Sequence, residues 1–297
     1  MILPKIAQQI KELEIHTKRI LNSSNLGGSR SRQRGFGFEF DQLRSYQYGD
    51  DVRLIDWKNS AKMADALLVR QYFEERNRTF IICLDISAST FFGTAIHDEK
   101  NALLLKQTMM QQISGVLALA AEYSKDKVGL ILFSDRIEKV IPPKRGKAYI
   151  HNLIETIFTY KPQGKGTNLA ALFEYVASQF GKNAIVFVVS DFIESNYEKA
   201  LSQAVLTKEV IAISCVDKLE IDFAAIGLLW MLDPETNRYS FIDARKYKNE
   251  MMKKVLQERL FIQKKMFHKH KIDFIQIQSK QNFIHDLILF FQKRLIY

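Results

Sequence analysis

Two periods of apolar residues organise the chain, and they change hands near residue 79. Ile6, Ile10, Leu13 and Ile20 recur at helical spacing and predict an amphipathic helix over residues 2–21. Polar residues and the pair Gly27-Gly28 end it, and Phe36, Phe38 and Phe40 then alternate as in a short strand. From residue 79 onward, short apolar runs alternate with longer helical patterns. Strands are predicted at 79–86, 128–133, 137–141, 184–190, 210–216 and 272–277. Helices are predicted at 98–124, 149–160, 168–180, 197–206, 246–270 and 281–295, and a hairpin over 228–232 and 239–242.

Runs such as Ala184-Ile185-Val186-Phe187-Val188-Val189 have no polar face. Strands of that kind are covered on both sides, as in a mostly parallel sheet with helices on either face. The expected fold class is therefore α/β, with a doubly wound, Rossmann-like sheet preceded by an N-terminal helix and a small β segment. The expected division is an N-terminal segment at 1–78 and the α/β domain with its C-terminal helices at 79–297.

Composition narrows the function classes. The chain has 297 residues, 47% hydrophobic and 26% charged, which is ordinary for a globular protein. Cys83 and Cys215 sit inside apolar runs, form no paired-cysteine zinc pattern and read as small buried hydrophobes. The N-terminus lacks the apolar core of a signal peptide, since Lys5, Lys11, Glu12 and Glu14 interrupt it. No apolar run reaches the length of a membrane span, so a cytoplasmic protein is expected. The net charge of +10 is uneven: residues 244–297 hold 13 basic and 4 acidic side chains, while the middle of the chain is slightly acidic.

The chemistry gathers where strands end. In open α/β sheets, ligands bind at the carboxyl ends of the strands, near the point where strand order reverses. The first α/β strand runs out into Asp85-Ile86-Ser87-Ala88-Ser89, and the central strand into Asp191. The loop Gly164-Lys165-Gly166-Thr167 opens a helix and can lie beside both. Asp85, Ser87, Ser89, Thr167 and Asp191 together offer two carboxylates and three hydroxyls. These are hard oxygen donors, suited to Mg2+ or Mn2+. Two carboxylates just neutralise a divalent ion, which is left able to accept an acidic group from a partner. The plainer alternatives are turn serines at 87 and 89, and helix caps at Thr167 and Asp191.

This arrangement, Asp85-x-Ser87-x-Ser89 followed by Thr167 and Asp191, resembles the metal-ion-dependent adhesion site of von Willebrand factor A domains. The resemblance implies that Ser87, Ser89 and Thr167 ligate the ion directly, with Asp85 and Asp191 acting at least partly through water. Thr167-Asn168 stands where a Thr-Asp pair is more usual. Upstream, Phe38-Glu39-Phe40, Leu43-Arg44-x-Tyr46, Gly49-Asp50-Asp51-x-Arg53-x-Ile55-Asp56-Trp57, Ser60-Ala61, Leu68-Val69-Arg70-Gln71-Tyr72 and Glu75-Arg76 resemble the bacterial "domain of unknown function 58". That resemblance implies an adaptor or co-chaperone working with a MoxR-type AAA+ ATPase. Some relatives carry N-terminal membrane helices, and this chain shows none of that pattern.

Within the upstream segment, Asp50, Asp51, Arg53 and Asp56 cluster beside Trp57, Tyr46 and Tyr48. One reading is a salt-bridged hairpin in which Arg44, Arg53 and Arg70 pair with the carboxylates. The other is a partner-docking surface made of Arg44, Asp50, Asp51, Arg53, Asp56 and Trp57. For the whole chain, the leading expectation is a metal-dependent protein-interaction module with no enzymatic activity and no small-molecule substrate. Nucleic-acid or anionic-surface binding through the basic C-terminal helices is the alternative. A metal-dependent hydrolase comes third, because no His lies in the three loops and no P-loop is present.

Overall fold

The computed structural model describes residues 34–35, 39–63, 67–73, 78–91, 95–98, 101–181, 184–217, 228–232, 239–243, 249–279 and 283–296. The helix expected at 2–21 lies outside them. The chain divides into two compact units, one holding the described residues between 25 and 77 and the other those from Arg78 onward.

The smaller unit is a three-stranded antiparallel sheet in the order β1-β3-β2, made of β1 (Arg34–Gly35), β2 (Glu39–Ser45) and β3 (Leu68–Phe73). The strand expected at 36–40 thus starts at Glu39 and continues to Ser45, while residues 36–38 are outside the described set. A one-turn helix, α1 (Trp57–Ser60), is capped by Asp56, whose carboxylate accepts the Asn59 N–H.

The larger unit is built on a six-stranded sheet in the order β13-β10-β9-β4-β7-β8. Its strands are β4 (Thr79–Asp85), β7 (Lys127–Phe133), β8 (Ile137–Lys144), β9 (Ile185–Ser190), β10 (Glu209–Val216) and β13 (Asp273–Gln278). All neighbours pair in parallel except β7 and β8. The antiparallel β8 is an edge strand and carries Pro142 and Pro143, which a sheet interior would not accommodate because proline cannot donate to the ladder. The α/β class and the mostly parallel sheet flanked by helices agree with the sequence pattern.

Strand alternation sends side chains to two separate cores. Ile82, Leu84, Val189 and Ile213 pack with α2 (Leu105–Tyr123), α3 (Lys147–Thr159) and α7 (Phe283–Ile296). Ile81, Cys83, Val188 and Ala212 pack with α4 (Leu169–Ser178), α5 (Glu198–Val205) and α6 (Asn249–Lys269). Every residue of β9 is buried, and each large aliphatic side chain there contributes about 1.5–3 kcal/mol relative to exposure. Both cysteines are buried, and burial pushes the Cys83 thiol well above its ordinary range. Among the described residues, no helix is long and apolar enough to cross a membrane.

One element differs from expectation. The helix predicted at 98–124 begins only at Leu105, and an antiparallel hairpin of β5 (Ala95–Asp98) and β6 (Asn101–Leu104) precedes it. The run Ala102-Leu103-Leu104-Leu105 is continuously apolar, so periodicity cannot separate strand from helix there. The hairpin at 228–232 and 239–242 is present as β11 (Leu228–Leu232) and β12 (Tyr239–Asp243).

Candidate metal centre

The order of strands fixes where a site can form. From β4 the chain crosses to β7 on one side, and β9 later pairs with β4 on the other. The reversal falls between the carboxyl ends of β4 and β9, where α/β sheets leave a crevice. Asp85 is the last residue of β4, and Asp191 directly follows β9.

Asp85 is held on both oxygens. Its Oδ1 accepts the Ser87 N–H at 2.9 Å, and its Oδ2 accepts the Ser190 hydroxyl at 2.6 Å from the adjacent strand. A short 3-10 turn, Ala88–Phe91, then folds the chain back, fixed by the Thr90 hydroxyl on the Ser87 carbonyl at 2.7 Å. The turn brings Ser87 Oγ and Ser89 Oγ to 3.0 Å from each other. Adjacent ligands of an octahedral ion with bonds of about 2.0–2.1 Å lie roughly 2.9 Å apart, so this pair has the spacing of two neighbouring positions on such an ion. Their neutral hydroxyls also suit a hard cation.

The loop that bears Thr167 is joined to the serine turn through its backbone. The Lys165 carbonyl accepts the Ala88 N–H at 2.8 Å, which ties the loop to the serine turn. Glu138 anchors the other end of the loop, accepting the Gln163 and Gly164 N–H groups at 2.9 Å each and the Ser134 hydroxyl at 2.5 Å. Gly164 makes this closeness possible: a Cβ there would fall 2.1 Å from Asp135 Oδ1 and 2.2 Å from Ser134 Oγ, and both side chains would have to shift. Asn168, not Thr167, caps α4, accepting the Ala171 N–H at 2.9 Å. Thr167 is half-buried beside the cap.

Asp191 does not cap a helix either, since α5 begins only at Glu198. Its Oδ1 accepts the Ile193 N–H at 3.4 Å, and its Oδ2 accepts a hydrogen bond from Lys106 Nζ at 2.6 Å. Phe192, between them, adopts φ +51, a left-handed conformation that is rare for a bulky residue. Its ring is buried against Phe267 at 5.4 Å and Tyr197 at 6.2 Å, which holds the strained turn in place.

Lys106 is the residue that pattern reading missed. It lies in the first turn of α2, is 1% exposed, and also donates to the Ser89 carbonyl at 3.3 Å. A signal was available: no other charged residue occurs between Lys100 and Glu122. A buried lysine at a helix N-terminus opposes the helix dipole and gains nothing from solvent, so its placement requires a local anion.

The electrostatics match this packing. Burial pushes the Asp85 carboxyl up to about 7, and the nearby Asp191 carboxylate adds to the shift, against the hydrogen bonds from Ser190 and Ser87. Asp85, Ser87, Ser89 and Asp191 are all buried, with Ser89 the most open at 8%. The structure thus links these four through hydrogen bonds and Lys106, and joins the Thr167 loop by its backbone.

In the smaller unit the charged cluster is internally paired. Arg44 holds Asp50 at 2.5 and 2.6 Å, Arg53 holds Asp51 at 2.7 Å, and Arg70 holds Asp56 at 3.0 Å. Trp57, Tyr48 and Val52 are exposed beside these pairs. On the basic C-terminal side, Lys269 and His270 both bond Glu198, at 2.8 and 3.1 Å.

The profile of the family described as "Protein of unknown function DUF58" matches residues 42–260. The uncharacterized proteins Rv1480 of Mycobacterium tuberculosis (strain ATCC 25618 / H37Rv) and Mb1516 of Mycobacterium bovis are 25% identical to the chain over 236 residues, covering 78% of it and 72% of each relative. Among solved structures, conserved hypothetical protein BatB from Bacteroides thetaiotaomicron aligns with 74% of this chain and 100% of its own, at 14% identity and a TM-score of 0.47. An aerotolerance-related membrane protein from Bacteroides fragilis aligns over 74% and 96% respectively, at 14% identity and a TM-score of 0.43.

Proposed function

The chain belongs to the DUF58 family, and on that footing we propose that it is a metal-ion-dependent protein-interaction module of the von Willebrand factor A type. Mg2+ or Mn2+ would be held by Ser87, Ser89 and Thr167 directly, with Asp85 and Asp191 acting at least partly through water. The ion supplies an electrophilic position for an acidic side chain of a protein partner. The proposed partner is a MoxR-type AAA+ ATPase, with this chain as its adaptor or co-chaperone. Such a partner consumes ATP, so the proposed place of action is the cytoplasm. The reading assigns no reaction and no small-molecule substrate.

One observation carries it: two neutral hydroxyls 3.0 Å apart, at the switch point of the sheet, with the Asp85 carboxylate tied to the same turn. The chain's own groups do the remaining work. Ser190 and the Ser87 N–H orient Asp85, and Glu138 holds the loop that bears Thr167. Phe91, the last residue of the serine turn, and Ile193, two residues after Asp191, are exposed at 36% and 43% and offer apolar contact to a protein surface.

The test is capture of the purified MoxR-type ATPase from the same genome by the immobilised chain. Capture is expected in Mg2+, and is expected to be lost in chelator and in Asp85→Ala, with circular dichroism showing both proteins folded. Equal capture with and without the ion would end the metal-dependent reading.

A further inference from the structure

The position of Lys106 deepens the metal reading and rests on it. Its ammonium lies 2.6 Å from Asp191 Oδ2 and 3.3 Å from the Ser89 carbonyl, so it occupies the space between the two loops proposed to hold the ion. The side chain of Lys106 is 1% exposed and that of Asp191 0%. Neither charge is compensated by bulk water, and each depends on groups within the site.

Charge balance sets two states of the cluster apart. Lys106 protonated and Asp191 ionised form a neutral pair, and an ionised Asp85 brings these three groups to one net negative charge. Adding a divalent ion while the ammonium stays in place would bury a net positive charge, with two cations converging on one carboxylate. Such an arrangement is strongly disfavoured where the effective dielectric is low. Turning the ammonium out of the buried site as the ion enters leaves two carboxylates and one divalent cation, which balance.

We infer that Lys106 is a tethered counter-ion of the site, and that its ammonium and a divalent ion are alternative partners of Asp191. The lysine neutralises Asp191 and holds the serine turn through the Ser89 carbonyl. A divalent ion enters by displacing the lysine from Asp191, so the affinity for metal is set by competition with a group of the protein itself. The lysine thereby weakens ion binding and keeps the ion-free site folded.

The experiment uses the full chain and Mn2+ alone as probe. Isothermal titration gives the affinity, and thermal melting in chelator and in Mn2+ gives the folded-state dependence. Four proteins are compared: wild type, Lys106→Gln, Lys106→Met, and the double variant Lys106→Met with Asp191→Asn. Gln keeps a hydrogen-bond donor toward Asp191 without the charge, so it guards against a Met variant that does not fold. Both single variants are expected to bind Mn2+ at least about tenfold more tightly than wild type, and to melt lower in chelator with the deficit closed by Mn2+. The double variant, with both charges removed, is expected to show no such metal-dependent recovery. Wild-type and Lys106→Gln affinities that agree within error would overturn the competition while leaving the metal reading intact. Absence of Mn2+ binding in every protein would overturn the metal reading, and this inference with it.

Discussion

Ser190 Oγ donates to Asp85 Oδ2 at 2.6 Å across the β9–β4 pair, and the same oxygen accepts the Phe192 N–H at 3.0 Å. One hydroxyl therefore fixes the carboxylate at the end of one strand and the start of the strained turn at the end of the next. Ser190→Ala removes both bonds in a fully buried position. We expect a loss of about 2–4 kcal/mol in urea unfolding measured in chelator, since a buried carboxylate and a buried N–H each lose a partner. A loss under about 0.5 kcal/mol would show that other groups hold Asp85.

The sheet was legible because its strands are covered on both faces. Ile185 to Val189 leave no polar side to misplace, and Asp85 and Asp191 sit where an open parallel sheet puts its ligands. The clustering of Asp85, Ser87 and Ser89 follows from their one-residue gaps together with their place at the end of an apolar strand. Lys106 was not legible, because hydropathy treats a lysine as an interruption of a helix and says nothing of a carboxylate 85 residues away that neutralises it. The role of Glu138 was hidden for the same reason: its partners are backbone N–H groups 25 and 26 residues further on. The hairpin before Leu105 was lost because a continuous apolar run suits strand and helix equally.

Glu138 makes the site sensitive to acid. Burial alone would raise its carboxyl, but the bonds from Ser134, Gly164 and Gln163 outweigh it and leave the group below its ordinary value of 4.5. A carboxyl depressed in the folded state adds stability above its unfolded value, and that stability is lost as pH falls through the folded value. We expect the loop at 161–167 to loosen below about pH 4.5 in wild type, read by amide hydrogen exchange. In Glu138→Ala the loop should exchange rapidly at neutral pH as well, with the strands unaffected. Uniform protection of the loop in that variant would show that Glu138 does not anchor it.

Asp126 has the opposite sign. Its Oδ1 accepts the Arg78 N–H at 3.2 Å, yet burial pushes the carboxyl up to about 6. A raised carboxyl favours the fold below its unfolded value of 3.8, and that contribution is lost as pH rises through about 6. Asp126→Asn keeps an oxygen for the Arg78 N–H and removes the buried charge. It should be more stable than wild type above neutrality by on the order of 2 kcal/mol, with the advantage shrinking between about pH 6 and pH 4. Urea unfolding across that range tests it, and a pH-independent difference would refute the assignment.

The smaller unit places a scaffold residue and an exposed aromatic side by side. Asp56 accepts from Arg70 Nε at 3.0 Å, Asn59 Nδ2 at 2.9 Å and the Asn59 N–H at 3.1 Å, and the Arg70 bond leads the effects that hold its carboxyl down to about 2. Trp57, the next residue, is 65% exposed. Asp56→Ala should therefore open residues 39–73 to limited proteolysis, because it removes both the cap of α1 and the tie to β3. Trp57→Ala should leave stability within about 0.5 kcal/mol. If this face docks a partner, Trp57→Ala alone should reduce capture of the ATPase while the proteolysis pattern stays that of wild type. Unchanged capture would leave the cluster as a set of ion pairs that fold the unit, with Trp57 playing no part in docking.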